Sequence, residues 1–302
     1  MGASGRDHWV GQHRPSGHRS MGRFASQISI WIRLPSICLL FAASIDFASA
    51  QNQRSINLVL CNGGSGISPE RQVAGCSALI ELGADAEMLA KIYNNRGNSY
   101  AKQGNLAKAA QDYDRALETR PGYVIALKNR GVAFYKSGEY DRALADLNEA
   151  LKGSPQNADV LADRAQVFSA KQDYRLALAD YDEAIRLDQK RAALWNARCW
   201  NRAAIGDLQA ALSDCNEAIK LSPGSASAMD SRGLTHLKMG QWNAALSDFA
   251  AALRLDSKLA SALYGRGLAR QKLGRAGPAR ADINAATALN PNIAKEFERL
   301  GL

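Results

Sequence analysis

Residues 124–157 read VIALKNRGVAFYKSGEYDRALADLNEALKGSPQN, and this stretch decides the fold. Its first half carries apolar or small residues at helical spacing, at Leu127, Gly131 and Phe134. Gly138 interrupts that pattern, and a second helical face follows over residues 140–151. Pro155 then ends the second face, because proline cannot continue a helix. The stretch is therefore predicted to form a helix, a turn and a second helix.

The same pattern returns every 34 residues along the chain. Arginine recurs at Arg96, Arg130, Arg164, Arg198, Arg232 and Arg266. Aspartate recurs at Asp112, Asp146, Asp180, Asp214, Asp248 and Asp282. Six units thus abut without insertion, at 90–123, 124–157, 158–191, 192–225, 226–259 and 260–293. Self-similarity at this period is typical of a solenoid, in which each helix pair buries its apolar face against the next pair.

These units resemble the tetratricopeptide repeat family. The family's small residue before an aromatic is matched by Gly97/Tyr100, Gly131/Phe134 and Ala165/Phe168. Its glycine between helices is matched by Gly104, Gly138, Gly206, Gly240 and Gly274, and its closing proline by Pro121, Pro155, Pro223 and Pro291. The sequence departs from the pattern at Arg202, His236 and Arg270, which replace the aromatic, and at Gln189 and Ser257, which replace the proline. The resemblance implies an all-α, right-handed α-solenoid of six 34-residue helix-turn-helix repeats.

Residues 1–50 have the order of a secretory signal peptide. Five arginines precede an uncharged run over residues 34–45, and Ala48-Ser49-Ala50 supplies an A-x-A cleavage pattern. Met21 is an alternative start that would give the signal an ordinary length. An uncleaved anchor is the other interpretation, but the 12-residue run is too short to span about 30 Å of hydrocarbon. We expect cleavage after Ala50 and export to the periplasm or the medium, with no membrane span left in the mature chain.

The composition is that of a soluble globular protein, with 46% hydrophobic, 22% charged and 7% aromatic residues. It excludes collagen-like, mucin-like and fully disordered chains. Five basic and two acidic residues lie in 1–50, so the mature chain would keep 33 basic and 27 acidic residues, a formal charge of +6. This mild excess gives only weak support for acidic partners, and it disfavours nucleic acid as the main partner.

The segments that flank the six units are expected to cap them. Residues 51–89 are interpreted as a degenerate N-terminal cap or half repeat, with a short insertion before Ala90, and residues 294–302 as a C-terminal tail or cap. Cys199 and Cys215 stand where other units pair a small residue with a large one across the two helices. The four cysteines after residue 50 allow three pairings, and the repeat geometry favours two of them, Cys61–Cys76 and Cys199–Cys215. Two buried thiol pairs in a cytosolic protein are the alternative.

The residues after position 50 offer no arrangement suited to catalysis. Their single histidine, His236, occupies a core place of its unit. No C-x-x-C pair or second histidine accompanies the cysteines, so no metal site is expected. The arginine and aspartate series is interpreted as a ladder of structural ion pairs. We therefore expect no enzyme activity, no cofactor and no metal.

The family resemblance implies a binding groove on the concave side, lined by the first helix of each unit. The predicted groove residues are Lys91, Asn94, Asn98, Lys128, Tyr135, Asn196, Trp200, Tyr264 and Leu268. Further groove places hold Asp230, Leu234 and Leu237, and packing against the neighbouring repeat is the alternative for the two leucines. Trp200 is the best candidate anchor, since tryptophan is enriched in binding hot spots.

Two functions remain open from the sequence. The first is a non-enzymatic protein–protein interaction scaffold of the cell envelope that binds an extended peptide segment in the groove. The alternative is a binder of an acidic polymer, envelope polysaccharide or nucleic acid, through the basic N-terminal half. In that case Arg202, His236 and Arg270 would add a basic row. Neither interpretation names the partner.

Overall fold

The structure, a computed structural model, describes residues 49–302. Residues 53–302 form one compact unit. The expected signal peptide lies outside the described residues, apart from its last two positions. Within the compact unit the first helix, α1, covers residues 53–62. The others are α2 (Pro69–Leu82), α3 (Ala86–Lys102), α4 (Leu106–Thr119), α5 (Val124–Lys136), α6 (Tyr140–Gly153), α7 (Ala158–Ala170), α8 (Tyr174–Leu187), α9 (Ala192–Ile205), α10 (Leu208–Leu221), α11 (Ala226–Lys238), α12 (Trp242–Leu255), α13 (Ala260–Lys272), α14 (Ala276–Leu289) and α15 (Ile293–Arg299).

The helices form successive pairs, and the described residues contain no strand, which confirms the all-α solenoid. We call the odd-numbered helices from α3 to α13 the A helices and the even-numbered helices from α4 to α14 the B helices. Each A helix packs on its own B helix, and each B helix packs on the next A helix. Neighbouring A helices also approach one another, and the backbones of α7 and α9 do so least closely.

Close packing within a pair depends on a small residue facing a large one. A Cβ atom added to Gly131 would lie 2.9 Å from Leu147 Cγ, and one added to Gly233 would lie 2.8 Å from Phe249 Cδ1. Both distances are too short for a side chain, so only glycine lets the B helix come so near. In the fourth unit the same place holds the Cys199–Cys215 disulfide, with Cα atoms 5.3 Å apart.

The second disulfide, Cys61–Cys76, joins α1 to α2 with Cα atoms 4.5 Å apart. Both pairings expected from the repeat geometry are thus confirmed in the structure. All four cysteines are buried. The bridges therefore lie inside the helix pairs.

The turn between the A and B helices requires a left-handed backbone. Gly138 adopts it with φ of 78°, and a glycine occupies the same place in four other units. The third unit has Gln172 there instead, with φ of 65°. Among the described residues Gln172 is the single non-glycine residue with a positive φ. This costs free energy, because the Cβ atom crowds the backbone in that region.

The predicted Arg–Asp ladder forms in all six units. The Arg130 guanidinium donates two hydrogen bonds to the Asp146 carboxylate, each of 2.7 Å, which joins α5 to α6. Its third nitrogen donates to Asp114 of the preceding unit at 2.6 Å. Equivalent paired bonds are Arg96–Asp112, Arg164–Asp180, Arg198–Asp214, Arg232–Asp248 and Arg266–Asp282. The arginines thus hold the pairs together and link successive units.

Both ends of the array differ in detail from the simple repeat. α3 begins at Ala86, where Asp85 accepts a 2.8 Å hydrogen bond from the Met88 backbone N–H. The insertion expected before Ala90 thus forms an additional helical turn. At the other end, α15 buries Ile293 and Phe297 against the last repeats, so that residues 294–302 are largely helical rather than an extended tail.

Candidate binding groove

Two adjoining cavities lie along the A helices. The first, which we call the central cavity, has a volume of about 480 Å³. Its walls include Tyr135, Tyr140, Tyr174, Trp200, Asp230 and Phe297. The second, the adjoining cavity, has a volume of about 350 Å³ and also borders Tyr135 and Trp200. It reaches down to Tyr181 of the B helix α8.

Aromatic rings form much of the wall of the central cavity. The Tyr174 and Trp200 rings meet edge to face with centroids 6.1 Å apart. Tyr135 and Tyr140 lie on the opposite helix pair, with centroids 6.0 Å apart. Trp200 is only partly buried, so one part of the indole packs on the core and the rest faces the cavity. Such a surface offers large, rigid contact area to a ligand.

A carboxylate lies in the wall of the same cavity. Ser261 Oγ donates a 2.6 Å hydrogen bond to Asp230 Oδ2. The other oxygen, Oδ1, is shielded from solvent and has no hydrogen-bond partner in residues 49–302. Burial raises the pKa of Asp230 to about 6. The group is therefore ionised at neutral pH at an energetic cost.

Two amide oxygens on α9 share this condition. Asn196 Oδ1 and Asn201 Oδ1 are buried and without a partner, and both residues border the adjoining cavity. Within the described part of the chain, these two and Asp230 Oδ1 are the buried side-chain polar atoms that lack a partner. All three are acceptors. A buried acceptor without a partner costs about 1–3 kcal/mol, so a donor that reached these oxygens would remove that cost.

The N-terminal half of the groove is a network of amides. Asn129 Nδ2 donates to Asn94 Oδ1 at 2.9 Å and to Asn98 Oδ1 at 3.0 Å. The Tyr113 hydroxyl also donates to Asn98 Oδ1, at 2.7 Å. Asn94 is buried, with 4% of its surface exposed, so its side chain belongs to this network and not to the open groove. Asn98 borders a third cavity of about 470 Å³, together with Lys102 and Lys136.

The two predicted lysines have different surroundings. Lys91 is exposed and forms an ion pair of 2.8 Å with Glu87 one turn away. Lys128 borders a fourth cavity of about 290 Å³, which also contains Asp159, Asp163 and Arg191. Burial raises the pKa of Asp163 to about 6. The charge near Lys128 is thus mixed, and no uniform basic surface forms there.

Arg202, His236 and Arg270, which the polymer alternative would use as a basic row, all contact ladder aspartates. Arg202 Nη1 donates to Asp214 Oδ2 at 2.8 Å, and Arg270 Nη1 donates to Asp282 Oδ2 at 2.6 Å. His236 lies between Gln241 and a ladder aspartate, with its Nδ1 atom 2.6 Å from the Gln241 side-chain oxygen. These side chains stand where the aromatic of the repeat would be and turn towards buried carboxylates. They therefore present no free cationic surface to a polymer.

The remaining predicted groove residues divide between core and cavity. Leu234 and Leu237 are buried in the C-terminal core, as the packing alternative predicted. Tyr264 packs on Phe297 of α15 with ring centroids 4.8 Å apart, and Leu268 packs on the same core. The lining of the two main cavities contains three of the nine predicted groove residues, Tyr135, Asn196 and Trp200, together with two of the further groove places, Asp230 and Leu234.

Sequence reasoning missed Tyr140 and Tyr174, which begin α6 and α8, and it missed the contribution of α15. The two tyrosines occupy the same place in the second and third units, 34 residues apart. That coincidence is a signal that could have been used. Nothing in the sequence indicated that α15 would border the same cavity.

Two features that would bear on function are absent from residues 49–302. No helix there is long and apolar enough to cross a bilayer. The same residues hold no group of three or more histidine, cysteine, aspartate or glutamate side chains placed to bind a metal ion.

Comparison with known sequences identifies the repeats. A family model described as "Tetratricopeptide repeat" matches residues 94–158 and 162–226. A second model, described as "TPR repeat", matches residues 233–274. Together the matches cover more than half of the chain. A search of curated proteins found no match.

Solved structures share the fold at low sequence identity. A tetratricopeptide repeat protein from Parabacteroides merdae is 20% identical, with a TM-score of 0.64 over 77% of this chain and 91% of that chain. The pilF protein of Pseudomonas aeruginosa is 18% identical, with a TM-score of 0.59 over 70% and 98% of the two chains. A chain of the APC/C hetero-tetramer Cut9-Hcn1 is 16% identical, with a TM-score of 0.63 over 82% of this chain and 51% of that chain. Likeness at this level concerns the fold alone.

Proposed function

We propose that this chain, which belongs to the tetratricopeptide repeat family, is a non-enzymatic scaffold that binds an extended segment of a partner protein in its groove. The observation that carries the proposal is the central cavity, where rings from three successive units surround one open space. Its volume of about 480 Å³ lies in the range of ordinary ligand pockets. An extended segment can follow the A helices and insert one side chain beside Trp200.

The proposed absence of enzyme activity rests on two points. Tetratricopeptide repeat proteins are generally scaffolds, and His236 is engaged with Gln241 and with the ladder aspartate Asp248. A general base must reach a substrate proton, and a histidine held in the repeat packing is poorly placed for that task.

We also propose that the protein is located in the cell envelope. The order of residues 1–50 and the two disulfides both support export, since disulfides persist in oxidising compartments. Mass spectrometry of the chain isolated from the envelope fraction tests this part. We expect an N-terminus at Gln51 and no free thiols, whereas a cytosolic chain that keeps residues 1–50 would contradict export.

The binding proposal is tested by site-specific photo-crosslinking in the envelope fraction. A photo-reactive residue at position 200 should capture a discrete protein, which mass spectrometry would identify. The matched control carries the same residue at position 242, since Trp242 is also a partly buried tryptophan but begins a B helix. Capture at both positions alike, or at neither, would contradict binding at the central cavity.

Affinity measurements complete the test and distinguish a peptide partner from an acidic polymer. Trp200→Ala should weaken binding of the captured partner about tenfold or more, as expected for a hot-spot tryptophan, while Trp242→Ala should not. An acidic polymer would instead show steep loss of binding with salt. Steep salt dependence without any effect of Trp200→Ala would favour the polymer.

A further inference from the structure

We propose that the central cavity receives a lysine or arginine side chain of the bound segment, an inference that rests on the proposed function. The partner would thus be recognised by a cation held against Asp230 and the surrounding rings. The proposed function places one side chain of the bound segment beside Trp200. The further proposal is that this side chain carries a positive charge.

The first argument is the chemistry of the unsatisfied atoms. Asp230 Oδ1 on α11 and the Asn196 and Asn201 side-chain oxygens on α9 are buried without partners, and all three accept hydrogen bonds. The cavities that they border share Trp200 and Tyr135, so the three lie in one region. Lysine carries three donors and arginine five, and neither has an acceptor. Lysine and arginine therefore match these three oxygens.

The second argument is charge. Asp230 is in no ion pair within residues 49–302. By contrast, each of the six buried aspartates of the ladder is paired with an arginine. A neutral donor from the partner would satisfy Oδ1 but would leave the negative charge uncompensated. An unpaired buried charge is costly, and a cation from outside removes that cost.

The third argument is the aromatic wall. Tyr135, Tyr140, Tyr174 and Trp200 all border the cavity that contains Asp230. The face of an aromatic ring attracts an ammonium or guanidinium group, and tryptophan does so most strongly. Rings also pack along the aliphatic stem of lysine or arginine. One side chain can therefore use both the carboxylate and the rings.

The other charged residues of the cavity do not oppose this assignment. Glu296 and Arg299 of α15 border the cavity and are exposed, one of each sign. Arg299 lies near Tyr174, where its charge lowers the pKa of the tyrosine against the larger effect of burial. No basic side chain influences the pKa of Asp230, which is shifted by burial and by Ser261. The cation that pairs with Asp230 would therefore come from the partner.

The test uses the full chain and a library of random dodecapeptides. We expect lysine and arginine to be enriched among the peptides selected by the wild-type chain. Replacing the selected cation by glutamine, or Asp230→Asn in the protein, should each weaken binding about tenfold or more. Asp207→Asn is the matched control, because Asp207 is exposed at the start of α10 and accepts no capping hydrogen bond.

The outcomes separate this inference from the proposed function. Peptides that depend on Trp200 but show no preference for lysine or arginine would overturn the cation assignment and leave the groove intact. The same holds if Asp230→Asn keeps the affinity of the wild type. If no selected peptide depends on Trp200, the proposed function is wrong and the inference falls with it.

Discussion

Asp230 affects both the binding of a cation and the stability of the free protein, and separate experiments can measure the two effects. One oxygen of its carboxylate, Oδ1, is shielded from water, and the other accepts the one hydrogen bond, from Ser261. The folded chain therefore holds a proton at this group more tightly than the unfolded chain does, since burial raises the pKa from 3.8 to about 6. The feature that would attract a cation is the same feature that makes the free protein less stable.

Stability should therefore fall as the pH rises from about 4 to about 6. Between these values the folded state binds more protons at Asp230 than the unfolded state does, so deprotonation favours unfolding. A shift of roughly two units corresponds to about 3 kcal/mol at most. Asp230→Asn should be more stable than the wild type at pH 7.5, and the difference should shrink towards pH 4. Urea unfolding at both pH values measures it, and equal stability at pH 7.5 would contradict the burial of the charge.

Gln172 is the second residue whose local geometry has a measurable cost. It occupies the left-handed turn position that glycine fills in the other five units. Gln172→Gly should raise the free energy of unfolding by about 0.5–1 kcal/mol, because relief of the strained φ exceeds the entropy lost by glycine. The reverse change in the second unit, Gly138→Gln, should lower it by about 1 kcal/mol. A loss of stability for Gln172→Gly would show that its side chain contributes more than the turn costs.

At the scale of single elements, α15 closes the C-terminal core. Its seven residues bury Ile293 and Phe297, and Phe297 meets Tyr264 of α13. A helix this short is not stable in isolation, so its order depends on this packing. The helix also supplies one wall of the central cavity, so the packing of α15 and the shape of the groove are coupled.

Phe297→Ala tests that coupling. Truncation of a buried phenylalanine costs about 3–5 kcal/mol, and in a repeat array the loss should be greatest in the units that it touches. Hydrogen exchange should accelerate in α13–α15 and remain unchanged in α3–α6. Glu298→Ala, an exposed change in the same helix, is the control. Uniform acceleration along the whole chain would mean that the array unfolds as one cooperative unit.

At the scale of the whole molecule, the fourth unit lies between two larger cores. One apolar cluster centres on the second and third units and another on the last two, whereas the fourth unit contributes Cys199, Ala203, Ala211 and Cys215. The A-helix contact to the third unit is also slight. The disulfide stands here in place of a large buried side chain.

Removing the Cys199–Cys215 bridge should reduce the stability of the fourth unit most. A cross-link that closes a loop of this length contributes about 3 kcal/mol in the chain-entropy model. The Cys199→Ala/Cys215→Ala chain should unfold in two steps, because the blocks on either side become uncoupled. Cys61→Ala/Cys76→Ala should destabilise only the N-terminal end. Denaturation followed by hydrogen exchange distinguishes these results, and a single unchanged transition would contradict them.

Much of this architecture follows from the period of 34 residues. The period predicted the positions of the helix pairs. It also predicted that Cys199 lies opposite Cys215, because both residues belong to one unit and their separation depends only on how its two helices pack. The binding site was harder to predict, because the wall of the central cavity comes from several units and from α15. How closely these elements approach one another depends on the curvature of the array. Asn94 was predicted in the groove but is buried, because Asn129 draws it into the amide network. Asp230 occupied a groove place in the sequence, yet only the structure shows that its oxygen lacks a partner.

The position of the Cys199–Cys215 bridge has a consequence for the history of the array. Both cysteines lie within one unit, residues 192–225, and the bridge needs nothing from a neighbour. Duplication or deletion of that unit in the gene would copy or remove the two thiols together. Recombination at the unit boundaries would thus add or remove units without leaving an odd cysteine to cross-link one chain to another.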